Sequence, residues 1–496
     1  MVFHPDADTL IGGGHLMRCL ALAQQWKKEG CSVMFLISPD GLPYADHLSR
    51  NGIGFSCCNS VAGSAADTAE TLHFLRDSGA ECIVMDGYRF DSVYVRKIRE
   101  SGAVTVLFDD YGHASHNYSD FVINQNIFAS DKNYTSSERY TQLLLGSKFY
   151  LIREEFRLWP DRKKKIAKIA KNILLTLGAS DPDNLTMKVL NAILPGIPDD
   201  CRVRVVIGAG NPHIGEIRDY AEKHLENLEV FFDAKNMPEL MAWADIAVSA
   251  AGTTACELAY MGTPMALITT SDNQIPVSNS LYSRSAAVSL GDKSSITADN
   301  IQEIVSDLIH NRSLRQTLAD NAITLIDGQG ACRAIRKITE TWIRLQPAVA
   351  DDCKRLWLWV NDPVVRASAF NTDIISFEDH ISWFTQKQAD PSCVQYIASD
   401  MHGEAIGQIR FDTDDSGYVN IDVSVDPKHR GKGRGASIIR TGIRQHYHTH
   451  KPRGYYSLIK PENISSIRSF ERAGFRQSTP HEDRKLNAIR LTYLAL

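Results

Sequence analysis

Short apolar runs recur through the first two thirds of the chain, and each is followed by a stretch with helical patterning. CSVMFLI (31–37), ECIVMD (81–86) and AVTVLFDD (103–110) show little polar alternation, so strands made from them must be covered on both faces. Amphipathic segments such as HLMRCLALAQQWKKEG and VYVRKIRESG stand between them. Parallel strands need long crossover connections, usually helices, so this alternation predicts a mostly parallel sheet wrapped by helices. A second set follows in NILLTLG (172–178), CRVRVVIG (201–208), LEVFF (228–232), IAVSA (246–250) and PMALIT (264–269). Two doubly wound units in succession imply a cleft between them, with ligands held at the carboxyl ends of the strands. The basic run DRKKKIAKIAK (161–171) marks the seam and reads as a solvated linker or helix face.

Beyond residue 345 the pattern changes. DDCKRLWLWVNDPVVRAS and FEDHISWFTQ read as helices, and VQYIAS, EAIGQIRFD and GYVNIDVSVD then follow across polar turns. Strands so closely spaced predict an antiparallel meander in an α+β unit. The expected domains are residues 1–158, 159–344 and 345–496, which suits a chain of 496 residues at about 150 per domain.

Charge narrows the partners. A net charge of −5 argues against a general nucleic-acid binder. Ten cysteines occur without a C-x-x-C pair, so no zinc or thioredoxin-type motif is signalled, and their scatter through apolar runs suits a reducing compartment. The start MVFHPDADTL lacks a secretory pattern, and no run is long and apolar enough to span a bilayer, so a soluble, cytoplasmic protein without membrane contact is expected.

Two kinds of turn carry chemistry. Ile11-Gly12-Gly13-Gly14-His15-Leu16-Met17-Arg18 joins the first strand to a helix. Its glycines permit close approach to a ligand, and the helix start favours a neutral imidazole at His15, a competent general base near neutral pH. In the second unit, Gly178 and Ser180 lie in LGASDPDN, while Gly252, Thr253, Thr254 and Glu257 lie in SAAGTTACE. Such turns can cradle a diphosphate, and Glu257 can accept from ribose hydroxyls. Asp272-Asn273-Gln274 follows the next strand. In the last unit, Val425 ends a strand and Asp426-Pro427-Lys428-His429-Arg430-Gly431-Lys432-Gly433-Arg434-Gly435 opens a helix. The pattern R-x-x-G-x-G turns successive N–H groups inward as a pyrophosphate nest, reinforced by Arg430, Lys432 and Arg434. Asn463 opens a later helix that closes on Ala473-Gly474-Phe475.

The segments IGGGHLMRCLALA, VMDGY, FDDYG, NQN (124–126), YLIREEF, LGASDPDN and SAAGTTACELAYMGTP together resemble the UDP-sugar hydrolase family of pseudaminic acid biosynthesis, related to spore-coat polysaccharide proteins. The resemblance implies a GT-B-like pair of Rossmann-type domains. It also implies hydrolysis of UDP-2,4-diacetamido-2,4,6-trideoxy-β-L-altropyranose to free sugar and UDP. His15 would be the catalytic base, with Asp6, Gly14, Arg18, Asp86 and Tyr88 at the sugar. Gly178, Ser180, Gly252, Thr253, Thr254, Glu257, Asn273 and Gln274 would serve UDP. The family often carries arginine where this chain has His4.

The loop at 426–435 and the segment from Asn463 resemble the GNAT acyltransferase superfamily. That implies acetyl-CoA as cosubstrate, held by Val425, Arg430, Gly431, Lys432, Gly433, Arg434, Gly435 and Asn463, and acetylation of the 4-amino group of the sugar precursor. Asp422 is a candidate base. Phe470 stands where tyrosine often protonates the leaving thiolate, so that donor is missing. Asn361-Asp362-Pro363 and His380-x-x-Trp383 resemble the acetyltransferases of the same pathway. His446, His448 and His450 read as incidental, and no metal is expected. Two other readings of the first two units are a glycosyltransferase and a nucleotide-sugar sensing module. The latter would accompany a protein-directed acetyltransferase.

Overall fold

The computed structural model describes the chain except residues 7–13, 139, 161, 179, 225, 341, 401, 479–487 and 495–496, and gives only the backbone of Tyr44, His448 and Leu494. Gly12 and Gly13 therefore lie outside the described residues. Seven strands form the first sheet: β1 (Val2–Pro5), β2 (Met34–Ile37), β3 (Gly54–Cys57), β4 (Cys82–Asp86), β5 (Val104–Phe108), β6 (Phe121–Asn124) and β7 (Gln142–Leu145). All pair in parallel in the order β3-β2-β1-β4-β5-β6-β7. β4 is buried along its whole length, as an unbroken apolar run must be when helices cover both faces.

The second sheet comprises β8 (Asn172–Thr176), β9 (Arg202–Ile207), β10 (Leu228–Phe232), β11 (Ile246–Ala250), β12 (Met265–Thr269) and β13 (Val288–Asp292), ordered β10-β9-β8-β11-β12-β13 and again all parallel. Both sheets reverse direction of growth at one place, between β1 and β4 and between β8 and β11. A crevice opens at such a switch point, outside the carboxyl ends of the strands.

The two units are tied by more than the seam. Helix Gly330–Glu340 places Ala331, Ala334, Ile335 and Ile338 in the core of the first unit. That i, i+3, i+4, i+7 spacing is one helical face, so the helix ending the second unit closes the first. The basic seam is less solvated than its composition suggests. Lys164 donates to the carbonyl oxygens of Met241, Ala242 and Ala244 at the end of helix Met237–Trp243. Burial brings its amine down to about 8.

The third sheet is built from β14 (Arg344–Pro347), β15 (Cys393–Ser399), β16 (Ala405–Thr413), β17 (Tyr418–Val425), β18 (Gly454–Ile459), β19 (Arg476–Gln477) and β20 (Ile489–Leu494), ordered β14-β15-β16-β17-β18-β20-β19. The expected meander is β15-β16-β17. All neighbours are antiparallel except β17 and β18, whose parallel register runs only from Tyr418–Gly454 to Asn420–Tyr456. Beyond that point the two strands have no registered pairs, which leaves a gap where an extended ligand can lie. This third unit docks on the first: Arg444 donates to the Gly102 carbonyl, and just before β14 the Trp342 indole donates to Glu81 at 2.8 Å. Among the described residues no helix is long and apolar enough to cross a membrane.

Candidate active sites

The first site gathers at the carboxyl ends of β1, β4, β5 and β6. His15 stands in the first turn of helix Gly14–Lys28, and its Nδ1 lies 2.9 Å from the carbonyl oxygen of Asp6. A carbonyl only accepts, so Nδ1 carries the hydrogen and the neutral ring keeps its lone pair on Nε2. Nε2 is 4.0 Å from Asp86, and the ring meets Tyr88 edge-on at 5.2 Å. Asp6 is fully buried and accepts from Arg89 at 2.9 Å. Gly87 lets these loops touch, because a Cβ there would come within 2.2 Å of the Asp6 Cβ.

Arg18, one helical turn after Gly14, sits between two carboxylates. Its Nε and Nη2 bind Asp86 at 2.8 and 2.6 Å, and its Nη1 binds Asp110 at 2.7 Å. Asp110 also accepts from the Tyr88 hydroxyl at 3.0 Å and from Asn126 at 3.0 Å. Burial alone would raise the Asp110 carboxyl, but the Arg18 charge and these hydrogen bonds hold it down at about 2. Burial likewise raises the Tyr88 hydroxyl, and the Asp110 charge adds to that.

Arg18→Met is therefore expected to cost about 3–5 kcal/mol of unfolding free energy, since it strands a fully buried Asp86. The pH dependence has a definite sign. A carboxyl held at about 2 contributes stability above its unfolded value, near 4, and loses it as pH falls through about 2. Denaturant titrations between pH 5 and 2 should show a contribution of about 2 kcal/mol in the parent protein that is missing in the variant.

The second half-site lies at the other switch point. Gly178 follows β8 with φ +94°, a conformation that favours glycine. Ser180 follows it, and Asp181 caps the next helix through Leu185 and Thr186. Gly252 precedes helix Thr253–Tyr260, whose first turn holds Thr253 and Thr254. The Gln274 side-chain oxygen accepts from the Thr270 amide and hydroxyl at 3.1 Å, and Asn273 accepts from Ser271 at 2.6 Å. Glu257 differs from a free ribose acceptor: Arg153, from the connection after β7, binds it at 2.8 Å. Burial raises the Glu257 carboxyl while Arg153 opposes that rise. Tyr150 joins the halves. Its hydroxyl donates to the Thr253 carbonyl at 3.5 Å, and the charges of Glu257 and Arg18 both act on it.

His4 takes no part in this network. It is buried and contacts Leu36, Asp67 and Phe90. With Cys58 and Asp67 it forms the metal-compatible group among the described residues. Burial first, then neighbouring acids, push the Cys58 thiol up to about 12, which disfavours the thiolate a metal would need.

In the third unit a cavity of about 800 Å³ is lined by the loop after β17, the gap between β17 and β18, and helix Ile464–Arg472. Gly431 and Gly433 have φ of +77° and +75°, and Gly433 caps helix Arg434–His450. The Arg430 side chain is turned inward, donating to the Val425 carbonyl at 3.0 Å and pairing with Asp362 at 2.7 Å. Lys432 donates to the Lys428 carbonyl at 3.2 Å. A Cβ on Gly435 would lie 3.1 Å from the Ser469 hydroxyl, so the helix start packs tightly there. The Asn463 side-chain oxygen caps its helix by accepting from Ser466 at 3.1 Å. Asp422 lines the cavity and accepts from Gln408 at 2.8 Å. Phe470 packs edge-on against Phe475 in the core and offers no proton.

His446 is a core histidine: it stacks on Phe411, lies 3.2 Å from the Tyr455 hydroxyl, and burial lowers it to about 4. The His448 side chain lies outside the described residues. Sequence reasoning did not single out Asp110, Asn126, Arg89 or Arg153, although FDDYG and NQN hold the first two.

Residues 173–332 match the glycosyltransferase family 28 C-terminal domain, and residues 343–476 match the acetyltransferase (GNAT) domain. An uncharacterized protein of Methanocaldococcus jannaschii is 22% identical over 95% of this chain and 96% of its own length. The UDP-2,4-diacetamido-2,4,6-trideoxy-beta-L-altropyranose hydrolase of Campylobacter jejuni is 24% identical over 49% of this chain and 81% of its own. The crystal structure of MurG from Acinetobacter baumannii shares the fold, with a TM-score of 0.51 at 17% identity over 68% of this chain and 98% of its own. The chain thus joins a GT-B-like pair of domains, the second matching the glycosyltransferase family 28 C-terminal domain, to a domain that matches the acetyltransferase (GNAT) model.

Proposed function

We propose that the chain is a bifunctional nucleotide-sugar enzyme of nonulosonic (pseudaminic) acid synthesis, in which the GNAT domain acetylates the 4-amino group of a UDP-sugar and the GT-B-like unit then removes UDP. The observation that carries the hydrolase half is the His15 ring, fixed through Nδ1 to Asp6 with its Nε2 lone pair beside the Arg18 network at the switch point. Relationship to the Campylobacter hydrolase supports the same reading. In the proposed step Nε2 takes a proton from water, the water oxygen bonds to C1, and the C1–O bond breaks with its electron pair leaving on UDP. Backbone N–H groups around Gly178, Ser180 and Gly252 to Thr254 would hold the diphosphate, where negative charge develops. Asn273 and Gln274 would hold the nucleoside, and Glu257 the ribose once Arg153 shares it. Asp6, Gly14, Asp86 and Tyr88 would line the sugar.

In the acetyltransferase half, the N–H groups from Arg430 to Gly435 would bind the pyrophosphate of acetyl-CoA, and Asn463 the cofactor arm. The amine would attack the thioester carbonyl and lose its proton toward Asp422, with CoA thiolate leaving. Solvent would protonate that thiolate, because Phe470 has no hydrogen to give. Tethering consecutive enzymes raises local concentration to about the millimolar range.

The test is mass spectrometry of products from acetyl-CoA and UDP-4-amino-4,6-dideoxy-N-acetyl-L-altrosamine. CoA, UDP and free diacetylated sugar are expected together; CoA alone would refute the hydrolase half. The family 28 match favours one competing reading, glycosyl transfer. That reading requires a new glycosidic bond in the product instead of free sugar.

A further inference from the structure

A second cavity, of about 590 Å³, lies where the GNAT domain docks on the first unit, apart from both sites described above. Its charged lining consists of four arginines and two carboxylates. Arg440 and Arg444 project from one face of helix Arg434–His450, four residues apart, toward Asp120 of the first unit. Asp120 already accepts from the Thr105 amide at 3.0 Å and from its hydroxyl at 3.1 Å, and pairs with Arg99 at 3.4 Å. One carboxylate thus acts on three guanidinium groups. Arg444 donates to the Gly102 carbonyl, and Arg440 reaches the carbonyls of Tyr140 and Arg472 only at 3.5 Å. Burial pulls both arginines below their ordinary range, with Asp120 pulling the other way without compensating it.

Gathered positive charge at the wall of a cavity invites an anion, because bringing guanidinium groups together away from water costs free energy that a bound anion returns. Their planar forks fit phosphate oxygens in particular. The volume exceeds what a bare phosphate needs and lies within the range of small-molecule sites. The rest of the wall is largely apolar and includes Trp342, so the anion should carry a flat or apolar body.

We propose that this interdomain cavity binds a phosphate- or pyrophosphate-bearing nucleotide, clamped by Arg440 and Arg444 of the GNAT domain against the first unit. The site is independent of the hydrolase reading. Two sources share this chemistry, a uridine nucleotide and CoA, and separate titrations distinguish them.

Inorganic pyrophosphate, UDP and CoA are each titrated calorimetrically into the full chain and into Arg440→Gln. The parent should bind pyrophosphate at one more site than the variant. Whichever nucleotide also loses a site, or at least tenfold in affinity, is the source. Arg440→Lys should recover part of the binding. Thr441→Glu, which lines the same cavity, supplies the carboxylate from within. It should abolish the extra site and raise the thermal midpoint without ligand. Identical stoichiometry and affinity for all three probes in the parent, Arg440→Gln and Thr441→Glu would overturn the proposal.

Discussion

His15→Asn is expected to cut UDP release by about 10²–10⁴-fold while leaving UDP affinity and CoA release at parent levels. Asparagine can keep the contact that places the ring, since its amide can donate to the Asp6 carbonyl that Nδ1 now faces at 2.9 Å. It has no basic nitrogen in place of Nε2, so the water loses its proton acceptor. The Arg18 bridge to Asp86 and Asp110 does not involve the imidazole, and the sugar-side network should persist. Rates of UDP and CoA release on the same preparation, with UDP binding measured alongside, separate a lost base from a lost fold.

Gly433→Val is expected to do the converse. At φ +75° a β-branched residue is strained by about 1–2 kcal/mol, which would disturb a turn that lines the cavity. Acetyl transfer should fall by about 10²-fold or more, with a higher KM for acetyl-CoA, while UDP release from a pre-acetylated sugar is unchanged. Gly433→Ala should fall between the two. The double variant with His15→Asn should lose both activities and retain the unfolding midpoint of Gly433→Val. Opposite losses from two single substitutions are what two independent active sites on one chain require.

The parallel cores were readable because strands buried on both faces leave continuous apolar runs. β4, β8, β11 and β12 carry that signal and were anticipated within a residue or two. β3, β6, β7 and β13 were not, being short or, in β13, interrupted by Gly291. No local pattern says that the apolar face of helix Gly330–Glu340 belongs to the first unit's core. Lys164 illustrates the same limit: a basic run reads as solvated until three helix-end carbonyls surround one amine.

At the sites, the turns were legible and the pairings were not. His15 and the loop at 430–435 announce themselves by glycine spacing next to a helix start. The Arg18–Asp110 bond spans 92 residues and the Arg153–Glu257 bond 104, so neither leaves a trace in any local window. Glu257 was read as an open acceptor because its arginine partner lies in the other unit. Asn463 was read as a cofactor contact, and its side-chain oxygen also caps its own helix.

The most direct test of the account is a reaction in ¹⁸O-labelled water with UDP-2,4-diacetamido-2,4,6-trideoxy-β-L-altropyranose. If His15 delivers water to C1, one label appears at the anomeric oxygen of the released sugar and none in UDP. Label in the phosphate of UDP, or a glycosidic product with no free sugar, would contradict it.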